Sequence, residues 1–237
     1  MSEKNFVIIG GTKGIGLSIT KQLAAGNHHV TTVSRSAANI QQMQGVSGFV
    51  ADITKDELDK SMLPDRIQGV AYCPGSIRLR PFHRLTEGDF MSDIQINLLG
   101  AIKSIQACLP GLKKAETPAS VVLFSTVAVA TGMPFHASVA SAKGAIEGLT
   151  RSLAAEFAPK IRVNAIAPSL TDTDLAKSLL SDENKRKAAA DRHPLKRVGR
   201  PTDIAAIATF LLDSASSWIT GQVLSVDGGL GPLRTFK

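Results

Sequence analysis

The sequence predicts one α/β domain over residues 1–237, a doubly wound parallel sheet of about seven strands with helices on both faces. Three observations predict it. Short apolar runs of strand length alternate with longer amphipathic stretches along the whole chain. The first run, Phe6-Val7-Ile8-Ile9, opens into Gly10-Gly11-Thr12-Lys13-Gly14-Ile15-Gly16 and then into a helical pattern of Leu17, Ile19, Thr20, Leu23 and Ala24. Finally, 237 residues with 43% hydrophobic content fill one core, with no internal repeat and no linker.

The first run is too short for a helix and suits a buried parallel strand. Residues 29–33 read as strand two and end in Ser34-Arg35-Ser36. Residues 48–51 read as a short third strand ending at Asp52-Ile53, and residues 67–73 as a fourth running into Pro74-Gly75. One long helix is expected over residues 87–113, with Asn97 inside it. Residues 121–124 make strand five, leading to Ser125-Thr126, and a helix over residues 137–157 carries Lys143. Strand six covers 161–167 and ends at Pro168, and a polar, mobile segment is expected from there to Arg200. Proline opens a helix over 201–212, and 223–226 form a last strand closing at Asp227-Gly228-Gly229.

Strand, glycine turn and helix in that order make a dinucleotide cradle. Glycines let the backbone turn tightly and approach a pyrophosphate, which then sits on the positive end of the helix. Gly10, Thr12, Lys13, Gly14, Ile15 and Gly16 are the predicted binding loop. Many such folds end strand two with an acid that accepts from the adenosine ribose 2′-hydroxyl. Here Arg35 stands there between Ser34 and Ser36, with Lys13 in the glycine loop, and two cations would attract a 2′-phosphate. NADP(H) is the expected cofactor.

The net charge of +7 favours anionic partners, but aromatic residues are only 5% of the chain and no stacking aromatics accompany the basic ones, so nucleic acid is not expected. No apolar run reaches bilayer length, and the N-terminal residues carry no signal-peptide pattern. Two cysteines, Cys73 and Cys108, fit a reducing compartment, and five scattered histidines make no metal site. A cytoplasmic protein acting on a small molecule, without membrane or metal, is expected.

Ordered motifs over essentially the whole length resemble the short-chain dehydrogenase/reductases. The Gly-x3-Gly-x-Gly loop matches Gly10, Gly14 and Gly16. The Asn of the middle helix matches Asn97 in Ile96-Asn97-Leu98-Leu99-Gly100, and Asp52 matches an adenine-contacting Asp. Arg162-Val163-Asn164-Ala165-Ile166-Ala167-Pro168, with Thr173 beyond it, and Arg197-Val198-Gly199-Arg200-Pro201 are close to family wording. The resemblance implies a Rossmann fold, an oxidoreductase, a homodimer or homotetramer, and cofactor contacts from Ile53, Pro74, Gly75, Lys143, Pro168, Ser169, Thr171 and Thr173.

The catalytic element departs from the family pattern of a serine followed by Tyr-x-x-x-Lys. Lys143 stands in place, Val139 occupies the tyrosine position, and Thr126 the serine position; the chain's only tyrosine is Tyr72. Ser169 replaces a glycine and Thr171 an aliphatic residue in the loop after strand six. Lys143 can still hold a nicotinamide ribose, and Thr126 can still offer a hydroxyl. His136, seven residues before Lys143, sits in the register of the Tyr-x6-Lys pattern of enoyl-[acyl-carrier-protein] reductases, and imidazole can give a proton near neutral pH. The catalytic expectation is thus Thr126, Lys143 and Asn97, with His136 or a water ordered by Asn97 as proton source. The basic stretches Arg78-Leu79-Arg80-Pro81-Phe82-His83-Arg84, Lys185-Arg186-Lys187 and 192–197 suggest an anionic or carrier-bound acyl substrate. The expected activity is NADPH-dependent reduction of a carbonyl or an activated double bond. The alternative is an inactive NADPH-binding sensor or structural partner.

Overall fold

The computed structural model describes residues 3–36, 39–40 and 42–234. Seven parallel strands form one sheet in the order β3-β2-β1-β4-β5-β6-β7. They are β1 (Asn5–Ile9), β2 (His29–Ser34), β3 (Val46–Val50), β4 (Gly69–Tyr72), β5 (Ala119–Phe124), β6 (Ile161–Pro168) and β7 (Val223–Val226). The α-helices among the described residues are α1 (Gly14–Ala25), α2 (Glu87–Ile94), α3 (Gly100–Lys113), α4 (Val127–Thr131), α5 (Ala137–Phe157), α6 (Glu183–Arg192) and α7 (Pro201–Leu212). Expected strand ends shift by one or two residues. Among the described residues, no helix is long and apolar enough to cross a membrane.

Alternate residues of each strand feed opposite faces, which is why the strands read as unbroken apolar runs. Val7 and Ile9 pack with Ile105, Cys108 and Leu112 of α3 and with Ile146 and Ala154 of α5. Phe6 and Ile8 face the other way, onto Ile19 and Leu23 of α1 and Ile204, Ala208 and Leu211 of α7. Strand order reverses beside β1, which pairs with β2 on one side and β4 on the other. That reversal opens a crevice at the carboxyl ends of β1 and β4, the usual ligand position of an open α/β sheet.

Two expectations need correction. The helix expected over 87–113 is interrupted by a π turn at Gln95–Leu99 between α2 and α3. Side chains claim the carbonyls there: Asn97 Nδ2 donates to Asp93 O at 2.9 Å, and the buried Tyr72 hydroxyl donates to Ile96 O at 2.5 Å. Insertion into the backbone ladder widens the turn. The segment after Pro168 holds a 3-10 helix at Asp174–Leu180 and then α6. Ala176, Leu180 and Ala189 form a small core there with Leu170 and Val198.

Candidate functional site

The cradle begins where β1 ends. Gly10 and Gly14 have φ of +76° and +52°, the left-handed region that glycine enters without strain. A Cβ on Gly16 would lie 2.2 Å from the Gly10 carbonyl oxygen, so α1 approaches the turn closely only because Gly16 has none. Lys13 caps α1 with no side-chain hydrogen bond, and the first turn holds no acid. Its N-terminal N–H groups are therefore available to an external anion. Thr12 is buried, and its carbonyl accepts from Asn39 Nδ2 at 2.9 Å. Ile15 lines the cavity described below, and Thr173 closes over the loop, its Cγ2 3.3 Å from a Cβ built on Gly14.

At one end of the crevice, β2 delivers Ser34, Arg35 and Ser36. Arg35 and Ser36 are exposed, as is Lys13 across the turn. Ser34 Oγ is buried with no hydrogen-bond partner among the described residues. Asp52 accepts from the Thr54 hydroxyl at 2.7 Å and from its N–H at 3.0 Å, which holds the carboxyl below its usual range. Arg35 contributes a smaller lowering. Ile53 beside it is buried in the core.

At the other end lies a cavity of about 340 Å³, a size suited to a small ligand. Thr126, Val139, Lys143, His136, Gly75, Pro168, Ser169, Thr171 and Thr173 all line it. Lys143 Nζ donates to Phe124 O at 2.8 Å, and burial pulls its ammonium down to about 8 against the opposing influence of Cys73 and Asp93. Asn97 is fully buried, and its Oδ1 has no partner among the described residues. A Cβ on Gly75 would lie 3.2 Å from that oxygen and 3.5 Å from Lys143 Nζ, so both atoms meet beneath Gly75. Pro74 packs on the Gly10 turn. Thr126 caps α4, its hydroxyl oxygen accepting from Ala128 N at 3.3 Å. Val139 stands one turn before Lys143 and puts an apolar wall there. Tyr72 lies outside the cavity with its hydroxyl committed to Ile96 O.

His136 caps α5 at the rim, where its Nδ1 bonds Pro134 O at 2.8 Å. It borders both this cavity and an open depression lined by Arg80, Phe82 and Phe135. The basic stretches are largely ion-paired: Arg78 and Arg80 with Asp89, Arg186 with Asp172, Lys185 with Asp182, and Arg197 with Asp203. Such pairing weakens the anion-receiving role expected of them; Arg192 does border the cavity.

A family model described as Enoyl-(Acyl carrier protein) reductase matches residues 10–231. A tropinone reductase homolog of Arabidopsis thaliana is 33% identical over 94% of this chain and 78% of that protein. The 3-oxoacyl-[acyl-carrier-protein] reductase MabA of Mycobacterium tuberculosis is 30% identical over 97% of this chain and 93% of its own. The chain belongs to the short-chain dehydrogenase/reductase family. A solved family structure, ElxO with NADP bound, superposes with a TM-score of 0.87 at 28% identity, covering 97% of this chain and 99% of that one.

In this short-chain dehydrogenase/reductase several polar residues at the site escape sequence reading. Asp93, fully buried one turn before Asn97, accepts from Ser76 Oγ at 2.5 Å and from the Ser138 hydroxyl. Ser76 in turn accepts from Asn97 Nδ2 at 2.9 Å. Only the four-residue spacing of Asp93 and Asn97 hints at this network. His193, within a basic stretch, has its imidazole buried against Ser169. Nothing in its sequence context signals that.

Proposed function

We propose that this chain is an NADPH-dependent reductase of carbonyl compounds or activated double bonds that works without a catalytic tyrosine. One observation carries the reading: the glycine cradle and the buried Lys143 ammonium share one crevice with an apolar-walled cavity. Three features fit a phosphorylated nicotinamide dinucleotide. Gly10, Gly14 and Gly16 leave room for a pyrophosphate on α1, with Thr12, Lys13 and Ile15 around it. Ser34 Oγ is an unsatisfied buried hydroxyl beside Arg35, suited to a 2′-phosphate. Asn97 Oδ1 is the corresponding unsatisfied acceptor at the other end. The bound NADP in ElxO agrees with that reading.

Reduced nicotinamide supplies the hydride when bound. Lys143, already donating to Phe124 O, has further N–H groups to hold a ribose hydroxyl and to place positive charge beneath the reacting centre. Asp52 and Ile53 border the adenine end, with Ser36 beside the phosphate. Pro74, Gly75, Pro168, Ser169, Thr171 and Thr173 enclose the nicotinamide end. Thr126 retains its hydroxyl proton while capping α4 and points the substrate oxygen through a hydrogen bond. Asn97 orders a water between itself and Lys143. His136 acts at the entrance, touching substrate as it passes the rim. Val139 rules out the phenol donor of the family pattern.

The MabA name points to carrier-bound 3-oxoacyl groups and the Arabidopsis name to cyclic ketones. Acetoacetyl-coenzyme A and tropinone are therefore suitable probes. Oxidation of NADPH by the wild-type chain with either probe supports the reading. NADPH binding without oxidation, together with activity created in Val139→Tyr, would establish an inactive NADPH-binding protein instead.

A further inference from the structure

The geometry points to Ser169 as the proton donor to the reduced substrate oxygen, with His193 behind it as the group that resupplies the proton; this rests on the reductase reading above. Ser169 stands at the carboxyl end of β6 and lines the cavity that holds Lys143, Thr126 and Val139. Its Oγ lies 2.9 Å from His193 Nε2. The His193 ring is 2% exposed, and its Nδ1 lies 2.7 Å from Ala189 O. Three elements fix the pair. His193 N–H bonds Ala190 O at the end of α6, Ser169 N–H bonds Val226 O of β7, and Gly228 lies close enough to the ring that a Cβ built on it would be 3.5 Å from His193 Cδ2.

The two ring contacts determine what this imidazole can do. A carbonyl only accepts, so Nδ1 carries hydrogen and donates to Ala189 O. In the neutral ring Nε2 is bare and accepts from the Ser169 hydroxyl. In the imidazolium Nε2–H donates to Ser169 Oγ, turning the serine proton toward the cavity. Both states are fully hydrogen-bonded, so the ring can pass a proton without moving.

During ketone reduction the carbonyl carbon gains a hydride from reduced nicotinamide, and the π pair moves onto oxygen. That oxygen takes the Ser169 hydroxyl proton, forming the product O–H bond as the serine O–H bond breaks. Ser169 Oγ takes the Nε2 proton of the imidazolium, leaving His193 neutral. Solvent returns one proton to His193 once the product has left. Charge and atoms balance: one hydride from the cofactor and one proton from water reach the ketone.

Other hydroxyls have different partners. Thr126 has no titratable group behind it, and a lone aliphatic hydroxyl is too weak an acid to yield its proton outright. The Ser125 hydroxyl donates to Glu147 Oε1 at 2.8 Å. Tyr72 is committed to Ile96 O. Ser76, which also lines the cavity, donates to the Asp93 carboxylate. Among the described cavity hydroxyls Ser169 is the one in contact with an imidazole, and His193 is its positioning and resupplying residue.

The test has two readouts on the full chain. Nitrogen-15 spectra of the histidine side chains, assigned by His193→Gln, are expected to show His193 protonated at Nδ1 when neutral, with an Nε2 signal that moves in Ser169→Ala. Protonation at Nε2 alone, or an unmoved signal, would overturn the contact. With NADPH saturating and acetoacetyl-coenzyme A or tropinone as probe, Ser169→Ala and His193→Gln are each expected to lower kcat about 100-fold or more, the scale of general acid catalysis. The probe KM should stay within a few-fold, and Ser169→Thr should recover most of the rate. Turnover that survives Ser169→Ala overturns the relay alone. A wild-type chain that binds NADPH and reduces neither probe overturns the reductase reading and the relay with it.

Discussion

Lys143→Met is expected to reduce NADPH-dependent turnover by about 100-fold or more, the usual loss when one preorganised electrostatic group is removed from a reacting centre. The side chain keeps its length and apolar stem and loses the ammonium that donates to Phe124 O. Wild-type turnover should itself fall as pH rises through about 8, where burial places the loss of that charge. Unfolding of the chain without ligand offers an independent check. The ammonium titrates at about 8 when folded and at the ordinary 10.5 when unfolded. Between those values the unfolded chain binds more protons, so this group makes stability rise with pH across that window, by about 3 kcal/mol at most. Cys73 and Cys108 act oppositely, because burial raises their thiols to about 12. Lys143→Met keeps the Cys108 background unchanged, so the difference between the proteins reports the lysine together with its coupling to Cys73. Any stability advantage of the variant at pH 7 should shrink as pH approaches 10.5. A constant difference between the two denaturation curves would contradict the buried-ammonium account.

Gly16→Ala is expected to weaken NADPH binding about 100-fold. The new Cβ would sit 2.2 Å from Gly10 O and 2.9 Å from Gly10 C, both backbone atoms with no rotamer to change. Relief requires α1 to move away from the β1 turn, which opens the cradle. Overpacking of this kind costs about 3 kcal/mol, and about 2.7 kcal/mol corresponds to 100-fold in Kd. Binding should be measured below the melting transition, with circular dichroism confirming the folded sheet. NADPH affinity within threefold of wild type would show that the cradle does not depend on this close approach.

Local signals in the sequence were readable wherever one element supplied them. The run Phe6-Val7-Ile8-Ile9 and the glycines after it dictate both the strand and the turn, and the amphipathic 137–157 stretch became α5 without adjustment. The π turn at Gln95–Leu99 was hidden because its cause is tertiary: the Tyr72 hydroxyl, arriving from β4, takes the Ile96 carbonyl. The small core of Ala176, Leu180 and Ala189 was masked by the charged residues between them. Arg78 and Arg80 looked like a receptor for anions because Asp89, which neutralises them, lies a loop and a capping box away. The Ser169–His193 contact spans 24 positions and depends on how α6 docks beside β6. Residue types advertise chemistry, but only packing shows which of those groups still have a hand free.

Calorimetric titration of the full chain with NADPH and NADH tests the central claim most directly. The account predicts saturable binding of NADPH, at least about tenfold tighter than NADH. That margin is about 1.4 kcal/mol, within reach of the charge-assisted hydrogen bonds that Arg35 and Lys13 offer a 2′-phosphate. Absence of binding heat for both nucleotides, or a preference for NADH, would contradict it.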